Sequence, residues 1–162
     1  MAVAALVASS AVLAAVPASK STTAEVKPVW AGISVRDAEA SAKWYQHNLH
    51  FEITKKMDLP EHKLGIVFMR LNGFTLELIE FRDSVSFEEA KKRVPELADR
   101  DKLQGFVKLD FQVKDVDALA GELEGHSIKL RMKPTDDPPF GQRFFLVEDN
   151  DGNTLQFFQP LK

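Results

Sequence analysis

The sequence contains no cysteine, and this absence removes several kinds of chemistry at once. Disulfides, thiolate metal ligands and cysteine nucleophiles all require that side chain. The sequence also lacks an excess of basic charge, since 21 Lys and Arg residues stand against 24 Asp and Glu residues. Because a phosphate backbone is bound through clustered cationic side chains, this composition argues against nucleic acid as a partner.

The motifs of several large enzyme classes are missing as well. The chain has no Gly-x-Ser-x-Gly, no His-Glu-x-x-His, no Gly-x-Gly-x-x-Gly and no phosphate-binding glycine loop. These patterns mark the nucleophile of α/β hydrolases, the zinc site of peptidases, and dinucleotide or nucleotide sites. The sequence therefore gives no support to a hydrolase, zinc peptidase, kinase or dinucleotide-dependent function.

The first 18 residues are a run of small and apolar residues that ends in Val16-Pro17-Ala18. This pattern predicts a signal peptide over residues 1–18, followed by a polar linker over residues 19–27. The run is short and rich in alanine for a membrane span, which needs roughly 20 strongly apolar residues. We expect a periplasmic or secreted protein whose mature form has no membrane segment; an uncleaved anchor and a disordered tail are the alternatives.

The remainder of the chain contains an internal repeat. A strand that ends in Val, one basic residue and then an Asp suited to cap a helix occurs at residues 33–40 and again at 111–118. Asp115 follows Asp37 by 78 positions, and Gln156 follows Glu77 by 79 positions in the matching strands near the ends of the halves. Two distant landmarks with nearly equal spacing indicate that a whole unit has been duplicated.

Each repeat predicts the same order of elements, β-α-β-β-β. In module one (28–81), apolar residues at helical spacing follow the first strand, and Asn72-Gly73 joins the last two strands as a hairpin turn. In module two (105–160), Asp151-Gly152 turns the last hairpin. The connector (82–104) contains a capping box at Ser86, which predicts a short helix that Pro95 ends or kinks. The predicted strands are residues 29–35, 51–55, 64–71 and 74–81 in module one, and 107–113, 128–132, 143–147 and 153–159 in module two.

Two stretches make the chain resemble the vicinal oxygen chelate superfamily of glyoxalases, bleomycin resistance proteins and dioxygenases. Residues 33–51, ISVRDAEASAKWYQHNLHF, resemble its opening strand, acidic cap and Tyr-bearing helix, with His50 in place of the usual Gly. Residues 140–153 resemble its Phe-Gly turn and final Asp-Gly hairpin, with Asn150 in place of Pro. The resemblance covers residues 28–160 and implies an α+β fold: two tandem βαβββ modules whose curled mixed sheets form a cup, with the helices outside.

The resemblance also implies where a metal ion would be bound. Enzymes of this superfamily place one His, Glu or Gln ligand on the first and on the last strand of each module, and these positions carry Trp30, Glu77, Lys108 and Gln156 here. Tryptophan has no coordinating atom and an ammonium has no lone pair. We therefore expect no cofactor. The alternative is a divalent metal bound by Glu77 and Gln156, with further ligands from residues such as His50 or His62.

Strand alternation predicts which side chains face into the cup. Residues 107, 109, 111 and 113 are apolar and suit the helix side, so Lys108 and Asp110 face the cup. We hypothesise that Lys108 lies near Glu77 and supplies the charge that a metal supplies in relatives; the alternative is a solvated surface ion pair. The predicted ligand-binding residues are Trp30, Glu77, Lys108, Asp110, Gln156 and Phe158.

Three functions are compatible with these features. The preferred one is an exported protein that binds a small organic molecule in the cup without metal, as the resemblance to drug-binding members implies. The second is a metal-dependent glyoxalase-like lyase or isomerase, or an extradiol-type dioxygenase, with a degenerate ligand set. The third is an exported scaffold with no small ligand. The resemblance also implies a homodimer.

Overall fold

The computed structural model describes residues 30–94, 96 and 105–161. The predicted signal peptide (1–18), the linker (19–27) and Pro95 lie outside the described residues. No helix within the described ranges is long and apolar enough to cross a membrane.

Module one forms a four-stranded mixed sheet with a helix on one side. Its elements are β1 (Trp30–Val35), α1 (Ala38–Leu49), β2 (Glu52–Leu59), β3 (Leu64–Leu71) and β4 (Phe74–Phe81). The strand order is β1-β4-β3-β2, in which β1 runs parallel to β4 and the other pairs are antiparallel. The hairpin turn between β3 and β4 falls on Asn72 and Gly73, both at positive φ as this turn requires.

Module two repeats this arrangement. Its elements are β5 (Lys108–Gln112), α3 (Val116–Gly125), β6 (Leu130–Asp137), β7 (Gln142–Glu148) and β8 (Thr154–Pro160), in the sheet order β5-β8-β7-β6. In the connector, α2 (Phe87–Arg93) begins at the predicted capping box of Ser86 and Glu89. The structure therefore confirms the α+β fold and the duplication of a βαβββ unit.

The two long helices begin in the same way. Asp37 accepts a hydrogen bond from the backbone N–H of Ala40, and Asp115 accepts the equivalent bond from Ala118. The first helical N–H of α1 donates to Glu80 on the last strand of its module, and that of α3 donates to Gln159 at the matching place. The last strand of each module thus fixes where its helix starts.

Two edge strands extend four and five residues past their predicted ends. Strand β2 extends to Leu59 instead of residue 55, and β6 spans Leu130–Asp137 instead of 128–132. Both are edge strands with mostly exposed side chains. The extension of β6 (133–137) shows no alternation of apolar and polar residues, whereas that of β2 (56–59) does alternate, and the sequence prediction missed this signal. Asp136, one residue before the end of β6, stays exposed and forms an ion pair with Arg143 at 2.7 Å.

One hydrophobic core joins the modules. Phe111 on β5 has its ring centroid 6.2 Å from Phe51 and 5.9 Å from Phe74 of module one, and it stacks on Phe157 of module two at 5.4 Å. Buried residues of both modules form a single cluster around these rings. The two modules therefore share one core.

A hydrogen-bond network around Asp149 links the modules a second time. Asp149 is 6% exposed and accepts the Tyr45 hydroxyl of α1 at 2.9 Å. It also accepts the backbone N–H groups of Asp151 and Asn153 and the Asn153 side-chain amide. The carboxylate thereby shapes the final hairpin and ties it to α1.

Stability should fall at alkaline pH because of Tyr45, the one tyrosine of the chain. Burial, and then the neighbouring Asp149 carboxylate, hold the pKa of Tyr45 well above its ordinary value of 10.0. The unfolded chain loses this proton near pH 10 while the folded chain keeps it, so above that pH the folded state binds more protons. We expect the free energy of unfolding to drop by up to about 1.4 kcal/mol per pH unit from this group.

Denaturant unfolding of wild type and Tyr45→Phe across the alkaline range measures this contribution, since lysine titration is common to both proteins. Tyrosinate absorbance of the folded protein provides a direct check. The prediction would be contradicted if the free energy of unfolding fell equally steeply with pH in the two proteins. Tyrosinate formation near pH 10 in the folded state would also contradict it.

Candidate functional site

Each sheet has one face against a helix and one face toward the cup. In module one the helix face carries buried residues such as Val67, Leu76 and Leu78. The strand register places Trp30 beside Thr75, and Phe68 beside Glu77, on the opposite face. We call this the module-one face; it consists of Trp30, Gly32, Ser34, Lys55, Met57, Ile66, Phe68, Arg70, Thr75, Glu77 and Ile79.

Aromatic and aliphatic side chains dominate the centre of the module-one face. Trp30 is 56% exposed, and its ring centroid lies 6.2 Å from that of Phe68 in an edge-to-face arrangement. Because Trp30 is on β1 and Phe68 is on β3, this contact crosses over β4. Ile66 and Ile79, which are register partners, continue the apolar surface. The face offers a flat organic molecule an aromatic wall open to solvent.

Glu77 is the acidic group among these apolar side chains. A Cβ placed on Gly32 would lie 3.3 Å from Glu77 Oε2 and 3.2 Å from Ile79 Cδ1. The carboxylate therefore points toward β1 and occupies space that is free because residue 32 has no side chain. It makes no hydrogen bond or ion pair with any residue in the described ranges. A half-buried carboxylate without a protein partner is available to a ligand.

On the cup face of module two, the polar side chains form hydrogen bonds with one another. Lys108 Nζ donates to Gln156 Oε1 at 2.5 Å and to Asp110 Oδ1 at 2.6 Å. Arg131 donates to the Thr154 hydroxyl at 2.9 Å. As a result Gln156 is 7% exposed and Thr154 is 4% exposed. Three predicted site residues, Lys108, Asp110 and Gln156, therefore form one bonded group.

The hypothesised contact between Lys108 and Glu77 is not formed. Asp110 lies two residues from Lys108 on the same strand face, and Gln156 is the register partner of Asp110 on β8. Both oxygens are closer to the ammonium than the Glu77 carboxylate, which belongs to the other module and is turned over Gly32. The lysine does face the cup as alternation predicted, but its partners are within module two.

The four positions expected to hold a metal do not fit one. Trp30 has no atom that can coordinate a metal, and Lys108 contributes a positive charge. The Gln156 oxygen already accepts a hydrogen bond from the Lys108 ammonium. No three His, Cys, Asp or Glu side chains in the part of the chain that the structure describes are grouped so as to bind a metal. His50 does not complete a set with Glu77: it ends α1, and its Nε2 lies 3.7 Å from Glu122. His62 is exposed in a short turn after β2.

Phe158 lies on the cup face of module two, two residues after Gln156 on β8. It is partly buried, between Gln112 of β5 and Phe144 of β7. The predicted residues thus separate into two groups, Trp30 with Glu77 on module one, and Lys108, Asp110, Gln156 and Phe158 on module two.

Two cavities lie along β1 where it approaches module two. A smaller one of about 150 Å³ is lined by residues that include Gly32, Ser34 and Lys108. A larger one of about 730 Å³ shares Ser34 and continues past the connector to Arg131 and Glu148. The larger volume is of the size that small ligands occupy, but its lining is mostly polar. The smaller cavity is lined in part by Gly32, which is the register partner of Glu77.

Sequence reasoning missed Gly32 and Phe68. Glycine within a strand indicates a close approach by another group, which here is the Glu77 carboxylate. Phe68 could have been assigned to the cup by alternation, because β3 alternates buried Val67 and Met69 with partly buried Ile66 and Phe68. Its contact with Trp30 depends on register across three strands, and that register is not visible in the sequence.

Comparison with known proteins gives a family and a fold. Residues 27–157 match the sequence model of the Glyoxalase/Bleomycin resistance protein/Dioxygenase superfamily. No curated protein sequence matches the chain.

Solved structures with the same fold share little sequence with this chain. A glyoxalase family protein from Enterococcus faecalis is 17% identical, with a TM-score of 0.68 over 82% of this chain and 96% of that chain. A glyoxylase/bleomycin resistance protein/dioxygenase domain from Frankia sp. EAN1pec is 17% identical, with a TM-score of 0.67 over 85% and 93%. The trypanothione-dependent glyoxalase I of Leishmania major is 21% identical, with a TM-score of 0.61 over 83% and 87%.

Proposed function

Because the chain belongs to the glyoxalase/bleomycin resistance protein/dioxygenase superfamily, we propose that it is an exported member that holds a small organic molecule in its sheet cup without a metal ion. The observation that carries this proposal is the internal bonding of Lys108 to Gln156 and Asp110. An ammonium at a donor position repels a divalent cation instead of binding it, and it also occupies the Gln156 oxygen.

The module-one face supplies the binding surface in this proposal. Trp30 and Phe68 offer aromatic contact area that is already ordered by their own edge-to-face contact. Ligand pockets are typically lined by apolar and aromatic side chains with a few polar groups that set orientation. Here Glu77 is such a polar group.

Export and self-association complete the proposal. The apolar residues 1–18 support export, and Edman sequencing of protein recovered from the periplasm or medium would reveal cleavage near residue 18. Superfamily members that bind drugs commonly pair, so we infer a homodimer, which light scattering on a size-exclusion column would measure.

A metal assay separates this proposal from a metal-dependent lyase, isomerase or dioxygenase. Protein purified without chelator should contain far less than stoichiometric divalent metal by plasma mass spectrometry, in wild type and in Glu77→Ala alike. Glu52→Ala, which removes an exposed acid from edge strand β2, is the matched control. A stoichiometric ion that is present in wild type and Glu52→Ala but lost in Glu77→Ala would establish the enzyme class instead.

Tryptophan fluorescence tests ligand binding directly. A panel of aromatic compounds should quench Trp30, and the quenching should disappear in Trp30→Ala. Trp44, which lies edge-to-face on buried Tyr45 at 5.1 Å, remains in that variant as an internal reference. If no compound in a broad panel changes the fluorescence, the scaffold function would replace the binding function.

A further inference from the structure

We propose that the ligand of the module-one face carries a positively charged nitrogen on an aromatic or apolar body, and that Glu77 recognises this charge. This inference rests on the proposed binding function and specifies the chemical class of the ligand. It follows from the position of the carboxylate, from the charges around it and from the rings beside it.

The Glu77 carboxylate is directed toward the β1 edge of the module-one face. Its Oε2 lies where a side chain on Gly32 would begin, 3.3 Å from the ideal Cβ position. No other described residue offers it a hydrogen bond or an ion pair. The same Gly32 lines the smaller cavity between β1 and β5, so the carboxylate stands beside an open space. A partly desolvated anion next to a cavity favours a cationic occupant.

Among the described residues, the cations on this face or in the lining of the smaller cavity are Arg70, Lys55 and Lys108, and none of them forms an ion pair with Glu77. Arg70 and Lys55 are exposed on β3 and β2, on the side of β4 opposite to the side toward which Glu77 leans. Lys108 borders the cavity from module two, but its charge is balanced by Asp110 at 2.6 Å. In the part of the chain that the structure describes, the negative charge of Glu77 at the β1 side of the cup is therefore not balanced by an ion pair.

The aromatic pair strengthens the preference for a cation. Trp30 is two residues before Gly32 on the same strand face, and Phe68 is the direct register partner of Glu77. A cation bound to the Glu77 carboxylate would therefore lie close to the exposed indole of Trp30. The negative face of an indole attracts organic cations, which adds to the attraction of the carboxylate. A neutral or anionic ligand of the same shape gains the ring contact alone.

Gly32 has a positioning role in this site. A Cβ at residue 32 would meet Glu77 Oε2 and Ile79 Cδ1 at distances tighter than ordinary van der Waals contact. Gly32→Ala should therefore turn the carboxylate away from β1 while the charge itself is retained. Selectivity for the cation should weaken in this variant, whereas binding of a neutral probe should change little.

Three probes with one ring and different charges test the proposal: meta-hydroxyphenyltrimethylammonium, its neutral isostere meta-tert-butylphenol, and meta-hydroxybenzoate. Titration calorimetry on the full-length protein should show the cation bound about tenfold or more tighter than the neutral isostere, with the anion weakest. Glu77→Gln keeps the shape of the side chain and should remove most of the cation's advantage, while binding of the neutral probe stays within about twofold.

Glu52→Gln is the matched control, because it removes the same charge from the edge strand β2, which β3 separates from the Glu77 strand β4. It should leave all three affinities unchanged. Equal affinity for the cation and its isostere in wild type, or a Glu77→Gln protein that keeps the cation's advantage, would overturn the charge assignment and leave small-molecule binding intact. If none of the probes binds, the charge assignment fails; if the broad fluorescence panel is silent too, the proposed function fails with it.

Discussion

Asp149→Ala should lower the free energy of unfolding by about 3–5 kcal/mol, because it removes a carboxylate that accepts hydrogen bonds from the buried Tyr45 hydroxyl and from two backbone N–H groups. The Tyr45 hydroxyl would lose its partner inside the core, and two backbone N–H groups of the final hairpin would lose theirs. A buried donor without a partner costs about 1–3 kcal/mol, so the loss of several such hydrogen bonds adds up to a large destabilisation. Urea unfolding followed by far-ultraviolet circular dichroism measures the change.

Two control variants define the origin of this effect. Asp149→Asn keeps one carbonyl oxygen and should lose less stability than the alanine variant, because part of the network can re-form. Asp83→Ala removes an exposed carboxylate whose ion pair with Lys63 is 3.7 Å long, and it should change stability by less than about 0.5 kcal/mol. If Asp149→Ala behaves like Asp83→Ala, the network contributes nothing to folding.

Phe111→Ala should cost about 3–4 kcal/mol and weaken the coupling of the two modules. The ring contacts Phe51 and Phe74 of module one and Phe157 of module two, so its removal leaves a cavity at the junction. Both tryptophans, Trp30 and Trp44, belong to module one. Their fluorescence therefore follows module one, whereas circular dichroism follows both modules.

In wild type these two signals should give one coincident unfolding transition, and in Phe111→Ala the transitions should separate. Phe140→Ala is the matched control, since this phenylalanine is 79% exposed and its loss should change stability by less than about 0.5 kcal/mol. If fluorescence and circular dichroism still coincide in Phe111→Ala, with the midpoint at the wild-type denaturant concentration, then other contacts hold the modules together.

The candidate site was only partly predictable from sequence. Alternation alone placed Lys108 and Asp110 on the cup face, because a strand has only two faces. The partner of Lys108 was not predictable, since it depends on which side chains of neighbouring strands lie within about 3 Å after packing. The orientation of Glu77 depended on Gly32, a residue on another strand whose relevance appears only when β1 and β4 are paired.

By itself, the sequence determined the duplicated βαβββ order, the capped starts of α1 and α3 and the Asn72-Gly73 hairpin. These are local features, set by hydrophobic period, side-chain capping and the φ angles that particular residues tolerate. The tertiary structure alone decided the full length of the edge strand β6, the hydrogen bonding of Lys108 and Arg131 across the module-two face, and the Trp30–Phe68 contact across β4. Those features arise from residues far apart in the chain, and their distances are set by sheet register and core packing, which no local pattern encodes.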